Sequence, residues 1–164
     1  MSVVAIAEIR QYLTFKLDDE VFAVDVAKVR EILELTSITR VPQTPQFMRG
    51  VINLRGSVVP VVDLRLKFGM SETAPTVDTC IIVVEVAHGS ETLILGALAD
   101  SVQEVFEMEP EQVEPAPRIG TKLNTDFILG MGKHDGRFIM ILDIDRTFTS
   151  GELATAGSMS GEAA

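Results

Sequence analysis

The sequence predicts a mainly β fold made of one or two small antiparallel β-barrels. About ten short runs of alternating or β-branched apolar residues lie along the chain, which is typical of small barrels. Residues with turn propensity separate most of these runs. No apolar run approaches the roughly 20 residues that a membrane helix needs, although apolar residues make up 46% of the 164 positions. A chain of this length can bury a core without cross-links.

The first elements predict an antiparallel start. Alternation of Leu13, Phe15 and Leu17 with polar residues predicts a half-buried strand over residues 11–17. An acidic turn follows, and residues 21–24 return as a second strand. The next segment, residues 25–35, fits a helix or a strand, and propensity alone favours the helix.

A short helical turn is predicted over residues 44–50. Thr44 has the composition of an N-cap, Pro45 suits the first helical position, and Gly50 suits the residue that ends a helix. This turn leads into a segment with two apolar runs around residues 53–56.

That segment is a predicted hairpin around Asn53-Leu54-Arg55-Gly56. Apolar runs flank these four residues, and residues 58–62 form a β-branched run that suits a strand. Pro60 has no N–H to donate, which places this strand at a sheet edge or at a bulge. Arg55 is therefore predicted at the surface, either as an ordinary solvated arginine or as a residue shown to a partner.

The second half repeats this strand-rich pattern after a candidate linker at residues 69–77. A loop with three prolines and little apolar character is predicted over residues 109–122, and its glutamates either steer a basic partner or keep it solvated. The termini, residues 1–9 and 150–164, are predicted to be loosely ordered. The predicted strands are residues 80–86, 93–98, 100–108, 126–131 and 137–143.

Charge and cysteine content narrow the function classes. The formal charge is −10, with residues 1–70 near neutral at +1 and residues 71–164 at −11, which argues against a nucleic-acid partner. No basic n-region precedes the short apolar N-terminal run, so no secretion signal is predicted and a cytoplasmic protein is expected. The single cysteine, Cys80, cannot form an internal disulfide and is predicted to be an inert core thiol.

No residue pattern indicates an active site, a metal site or a cofactor. His88 and His134 lie in different predicted turns and do not resemble a zinc pair. Asp143 and Asp145 share a strand face but lack a partner base, so capping of a following turn is the simpler interpretation. Residues 130–133 lack the length and the following helix of a phosphate-binding loop.

Three segments together resemble the CheW family of chemotaxis coupling proteins. They are Val29–Ile32, Val41–Gly50 and Val51–Leu64, the last with Asn53-Leu-Arg-Gly followed by Pro60-Val-x-Asp-Leu. The resemblance covers about residues 10–150 and implies a single domain of two packed SH3-like five-stranded antiparallel β-barrels with short helical turns. It places the division near residues 70–78, allows the last strand to return to the first barrel, and favours a strand for residues 29–35.

The resemblance also implies a function without catalysis. A member of this family couples the cytoplasmic tip of a transmembrane methyl-accepting chemoreceptor to the regulatory domain of the histidine kinase CheA, and so supports array assembly and kinase control at the membrane. Cofactors, metals, nucleic acid and direct membrane insertion are not expected. The positions that match the family's contact residues are Val29, Glu31, Gly50, Asn53, Leu54 and Arg55.

A receptor tip is a helical hairpin, so a groove with an apolar floor and a fixed guanidinium suits it. We expect Val29 and Leu54 to form part of that floor and Glu31 to steady Arg55. Two other functions stay open at this point: coupling in a parallel motility pathway, and a small ligand-binding or catalytic barrel that uses Asp143 and Asp145.

Overall fold

A computed structural model describes residues 10–114, 127–134, 136–159 and 161–162. The predicted loose N-terminus and most of the predicted proline-rich loop lie outside these residues. The strands are β1 (Arg10–Leu17), β2 (Glu20–Asp25), β3 (Val29–Glu34), β4 (Met48–Leu54), β5 (Ser57–Asp63), β6 (Cys80–His88), β7 (Glu91–Ala99), β8 (Ser101–Met108), β9 (Val113–Glu114), β10 (Ile128–His134), β11 (Arg137–Leu142) and β12 (Gly161–Glu162); the helices are α1 (Leu64–Lys67) and α2 (Ser150–Met159).

The described strands form two sheets. The first has the order β8-β1-β2-β11-β10-β9, and the second has the order β12-β5-β7-β6-β3 with β4 paired to β5. The predicted mainly β fold is confirmed, and the two expected barrels correspond to two curled sheets, each with six described strands where the resemblance implied five. The pairing differs in one respect from an all-antiparallel barrel: within the described residues, each sheet contains one parallel pair, β2 with β11 and β5 with β7.

The sequence division near residues 70–78 does not separate the two sheets. β5 lies before this segment and β7 after it, yet the two strands pair in parallel, with Val61 opposite Gly96. The second sheet is therefore built mainly from residues 29–99, inserted between β2 and β8 of the first sheet. Parallel pairs require a crossover connection, and the apparent linker is the part of this connection that lies between α1 and β6.

Apolar side chains form one shared core and two smaller ones. The shared core lies between the sheets and includes Phe15 and Phe22 of the first and Ile82 of the second. One smaller core is centred on Ile141 and the other on Ile81. Because neighbouring residues of β6 enter different cores, this strand is buried on both faces, which explains its continuous apolar run.

The C-terminal tail is more ordered than the sequence predicted. Residues 150–159 form α2, and Leu153 and Ala156 on one face of this helix are buried in the shared core. Glu152 accepts a hydrogen bond from the Thr149 N–H at 2.8 Å, and the Glu152 N–H donates to Thr149 Oγ1 at 3.1 Å. This reciprocal cap starts the helix, and two apolar residues at i and i+3 are enough to dock it.

Of the predicted helical turn over residues 44–50, only a single turn forms, in which the Met48 N–H donates to the Pro45 carbonyl at 2.9 Å. The Thr44 hydroxyl donates to the Val41 carbonyl at 3.0 Å instead of accepting from a helix N–H, and β4 already begins at Met48. The residue types suited a helix start, but pairing with β5 takes the second half of the segment. In the ambiguous segment before it, Val26–Lys28 form a 3₁₀ turn and the following residues form β3, which pairs with β6.

Candidate partner-binding groove

The β4–β5 hairpin ends in a two-residue turn that presents Arg55. Arg55 and Gly56 have φ values of 51° and 89°, and a type I′ hairpin turn requires positive φ at both positions. The Gly56 N–H donates to Asn53 Oδ1 at 2.9 Å, which closes the turn. Positive φ is uncommon for arginine, so this side chain sits where a smaller residue would fit the backbone better.

Arg55 forms a two-point ion pair with Glu31 of β3. Arg55 Nη1 donates to Glu31 Oε1 at 3.3 Å, and Nη2 donates to Oε2. The hydrogen bond to Glu31 and the charge of that carboxylate raise the pKa of Arg55. The Arg55 side chain is nevertheless 70% exposed, against 28% for Glu31. The two-point contact restricts the orientation of the guanidinium. Much of the guanidinium nevertheless stays accessible to another hydrogen-bond acceptor.

The ion pair lies at the rim of an open groove of about 610 Å³. Apolar residues from four strands, β4, β5, β6 and β7, line it together with polar residues. The lining residues are Arg30, Glu31, Leu54, Arg55, Ser57, Val58, Val59, Val83, Thr92, Leu93 and Ile94. A charged rim over an apolar floor is the arrangement by which a groove takes the apolar face of an amphipathic helix.

The groove exists because β5 and β7 separate toward the hairpin. Their parallel pairing begins at Val61 opposite Gly96 and continues through Asp63. Pro60, immediately before this point, has no N–H with which to extend the ladder. The prediction from Pro60 is met only at this residue, which lies between the part of β5 that pairs with β12 through Val58 and the part that pairs with β7 from Val61.

Three of the six predicted site residues line the groove, namely Glu31, Leu54 and Arg55. Leu54 also packs against the core of the second sheet. Asn53 acts through the turn, since its side chain accepts the Gly56 N–H that shapes it.

Val29 does not form part of the groove floor, contrary to expectation. It pairs with Val84 and packs against the shared core, whereas Glu31 pairs with Val83, which faces the core of the second sheet. A register shift between Val29 and Glu31 separates the two residues. This bulge breaks the rule that residues i and i+2 share a face.

Gly50 is buried in β4 and does not line the groove. Its φ is 141°, and a Cβ atom there would stand 2.0 Å from the Thr39 carbonyl oxygen. Thr39 and Val51 exchange backbone hydrogen bonds of 2.8 Å beside it. The structure therefore explains glycine at this position by close approach of two backbones.

Sequence reasoning missed the wall contributed by β7, which contains Thr92, Leu93 and Ile94. No local signal indicates this wall, because it depends on the parallel pairing of β5 with β7. Leu93 and Ile94 are both half-buried. The sequence around them has no pattern that distinguishes a groove from an ordinary barrel wall.

The other candidate residues serve the fold. Asp145 accepts hydrogen bonds from the Ala87 N–H and from Lys28 Nζ, each at 2.8 Å, and Asp143 accepts from the Asp145 N–H at 3.1 Å. These contacts hold the chain after β11 against the second sheet. Across the described ranges, no three His, Cys, Asp or Glu side chains are grouped to hold a metal ion.

Comparison with known proteins agrees with these features. The family model for the CheW-like domain matches residues 11–152. The chain belongs to the CheW family. The chemotaxis protein CheW of Klebsiella aerogenes is 34% identical over 145 residues, which is 88% of this chain and 85% of that protein. The Helicobacter pylori chemotaxis protein CheW is 33% identical over 138 residues, which is 84% of this chain and 81% of that protein.

The similarity extends to three dimensions. The crystal structure of the scaffolding protein CheW from Thermoanaerobacter tengcongensis superposes with a TM-score of 0.77 at 33% identity, and the match covers 87% of this chain and 94% of the other. The CheW fold explains the two curled sheets and the shared core. Of the helices in the described part of the chain, none has the length and apolar character to cross a membrane.

Proposed function

We propose that this CheW family member is a non-enzymatic chemotaxis adaptor that couples the cytoplasmic tip of a transmembrane chemoreceptor to the regulatory domain of the histidine kinase CheA. In this proposal it supports assembly of the receptor array and control of the kinase. The protein acts in the cytoplasm and is recruited to the membrane through the receptor. It acts by holding the chemoreceptor and CheA in a fixed position relative to each other.

One observation supports the receptor part of the proposal most strongly. Arg55 is fixed by Glu31 at the rim of an apolar groove while 70% of its side chain is exposed. A helical hairpin supplies the two features that complement this site, an apolar stripe and a carboxylate or C-terminal carbonyl. Leu54 would contact the stripe, and Arg55 would pair with the oxygen.

The kinase contact is proposed to use barrel edges and apolar side chains. β3 ends the order of the second sheet, and Ile32 on this strand is 45% exposed. An edge strand with an exposed apolar side chain can pair with a similar barrel.

A pull-down with two separate baits tests the proposal. One bait is a receptor signalling fragment and the other is a kinase regulatory domain, each immobilised and exposed to the purified full chain. The proposal predicts that both retain the protein and that the three components form a ternary complex. If the protein binds neither bait, the adaptor function is excluded.

A further inference from the structure

The C-terminal strand of this chain pairs with the hairpin strand beside the groove. β12 runs antiparallel to β5, with Gly161 opposite Val58 and Glu162 opposite Ser57. Ser57 and Val58 both line the groove, and they directly follow the turn that carries Arg55. Gly161 and Glu162 thus occupy backbone positions at the rim of the proposed receptor site.

The available edge of β5 is short for a physical reason. In a two-residue hairpin, the residues that flank the turn exchange backbone hydrogen bonds, and this bonding alternates along the strand. With Leu54 opposite Ser57, the backbone groups of Val58 and Pro60 face away from β4. Proline has no N–H, so Val58 is the residue that offers both a donor and an acceptor before β7 joins the strand.

Helix α2 holds this strand close to the groove. Leu153 and Ala156 anchor the helix in the shared core, and Lys67 Nζ donates to both Glu152 carboxylate oxygens at 2.7 and 2.8 Å. A methyl group on Gly157 would lie 3.6 Å from Leu93 Cδ2, and Leu93 lines the groove. Only residue 160 separates α2 from β12, so the strand has a high effective concentration at β5.

We propose that β12 is an intramolecular competitor for the receptor site. It covers the Val58 edge in the free protein, and a helical partner that enters the groove displaces it. This inference rests on the adaptor function proposed above. The anchored helix stays in place during the exchange, and only the short strand leaves. Only two residues of β12 pair with β5, so this pairing is weak. A weak pairing can be broken when the partner binds.

Truncation gives the first test. A variant that ends at Met159 keeps α2 and loses β12, and its affinity for a receptor signalling fragment is compared with that of the full chain by titration calorimetry. We expect the truncated protein to bind about three- to tenfold more tightly, since one or two backbone hydrogen bonds each contribute up to about this factor. Equal or weaker binding by the truncated protein would overturn the inference.

A disulfide lock gives the second test. Directly opposed residues of antiparallel strands have Cα atoms about 4.5–5.5 Å apart, within the range of disulfides. The Val58→Cys/Gly161→Cys variant should bind the receptor fragment more weakly when oxidised than when reduced, and the Val58→Cys single variant should show no such difference. Cys80 is buried and does not compete.

The two tests separate failure of the inference from failure of the adaptor proposal. Retained binding that is insensitive to truncation and to oxidation excludes competition by β12 and leaves the receptor function intact. Absence of binding by every form, including the truncated one, defeats the receptor function itself and the inference with it.

Discussion

Arg55 and Glu31 join the two ends of the second sheet. Glu31 lies on β3, which ends the strand order on one side, and Arg55 lies in the turn of the β4–β5 hairpin toward the other side. The curl of the sheet brings them within hydrogen-bond distance. The pair therefore marks the seam of the barrel, and the groove lies beside this seam.

Removal of the Arg55 guanidinium should leave folding nearly unchanged. Because the side chain is largely exposed and exposed ion pairs contribute little, Arg55→Ala should leave the free energy of unfolding close to that of the parent protein. Urea denaturation monitored by circular dichroism measures this change. Arg55→Gly, which also suits the positive φ, is the matched control for the backbone. Unfolding of Arg55→Ala but not of Arg55→Gly would trace the loss to the turn.

Gly50→Ala should destabilise the protein strongly. The new Cβ would stand 2.0 Å from the Thr39 carbonyl oxygen at a φ of 141°, so we expect a loss of about 3 kcal/mol or more in the free energy of unfolding. Gly89→Ala is the control, since Gly89 has a φ of 62° with open space around it, and it should cost about 1 kcal/mol. Equal effects of the two substitutions would contradict the close approach at Gly50.

Leu153→Ala should show that the C-terminal helix belongs to the core. Leu153 is 4% exposed, and truncation of a buried leucine costs about 2–5 kcal/mol. Ala154→Gly changes an exposed position of the same helix and should cost about 1 kcal/mol. Thermal denaturation of both variants tests this difference. A Leu153→Ala variant as stable as Ala154→Gly would mean that α2 does not dock.

Cys80 should resist modification in the folded protein. Burial, followed by the nearby charges of Asp100 and Asp78, raises the pKa of this thiol. The folded state therefore keeps the thiol protonated to a higher pH than the unfolded chain does. Its contribution to stability is full below the ordinary pKa of 9.0 and declines as the pH rises through the folded value.

Two measurements check this prediction. Labelling with a disulfide reagent at pH 8 should be slow in buffer and rapid in denaturant. In unfolding experiments above the ordinary pKa, Cys80→Ala should lose less stability with increasing pH than the parent protein does. Rapid labelling of the folded protein would contradict burial of the thiol.

The sequence predicts local features of this molecule well. The hairpin around Arg55 and the strands β1, β6 and β7 follow from alternation, β-branched runs and turn residues, all of which act over a few neighbours. The family resemblance correctly favours β3 over a helix. The Glu31 partner of Arg55 also follows from that resemblance.

The remaining features depend on contacts between distant segments. The bulge before Glu31 directs the Val29 side chain toward the shared core. The residue types around Arg30 do not indicate this bulge. The groove depends on the parallel pairing of β5 with β7 and on the separation of these strands toward Arg55, yet no hairpin connects them. Helix α2 buries only two side chains, and its sequence of small residues is typical of a frayed tail. The helix can be recognised only from the core against which these two side chains pack.

The affinity of a receptor signalling fragment for the full chain and for Arg55→Ala tests the central claim most directly. Arg146→Ala is the matched control, because the Arg146 side chain is 75% exposed, similar to Arg55, and does not line the groove. The account predicts that Arg55→Ala binds at least about tenfold more weakly, as a lost charge-assisted hydrogen bond implies, while Arg146→Ala binds like the parent protein. Parent-like binding by a folded Arg55→Ala variant would contradict the account.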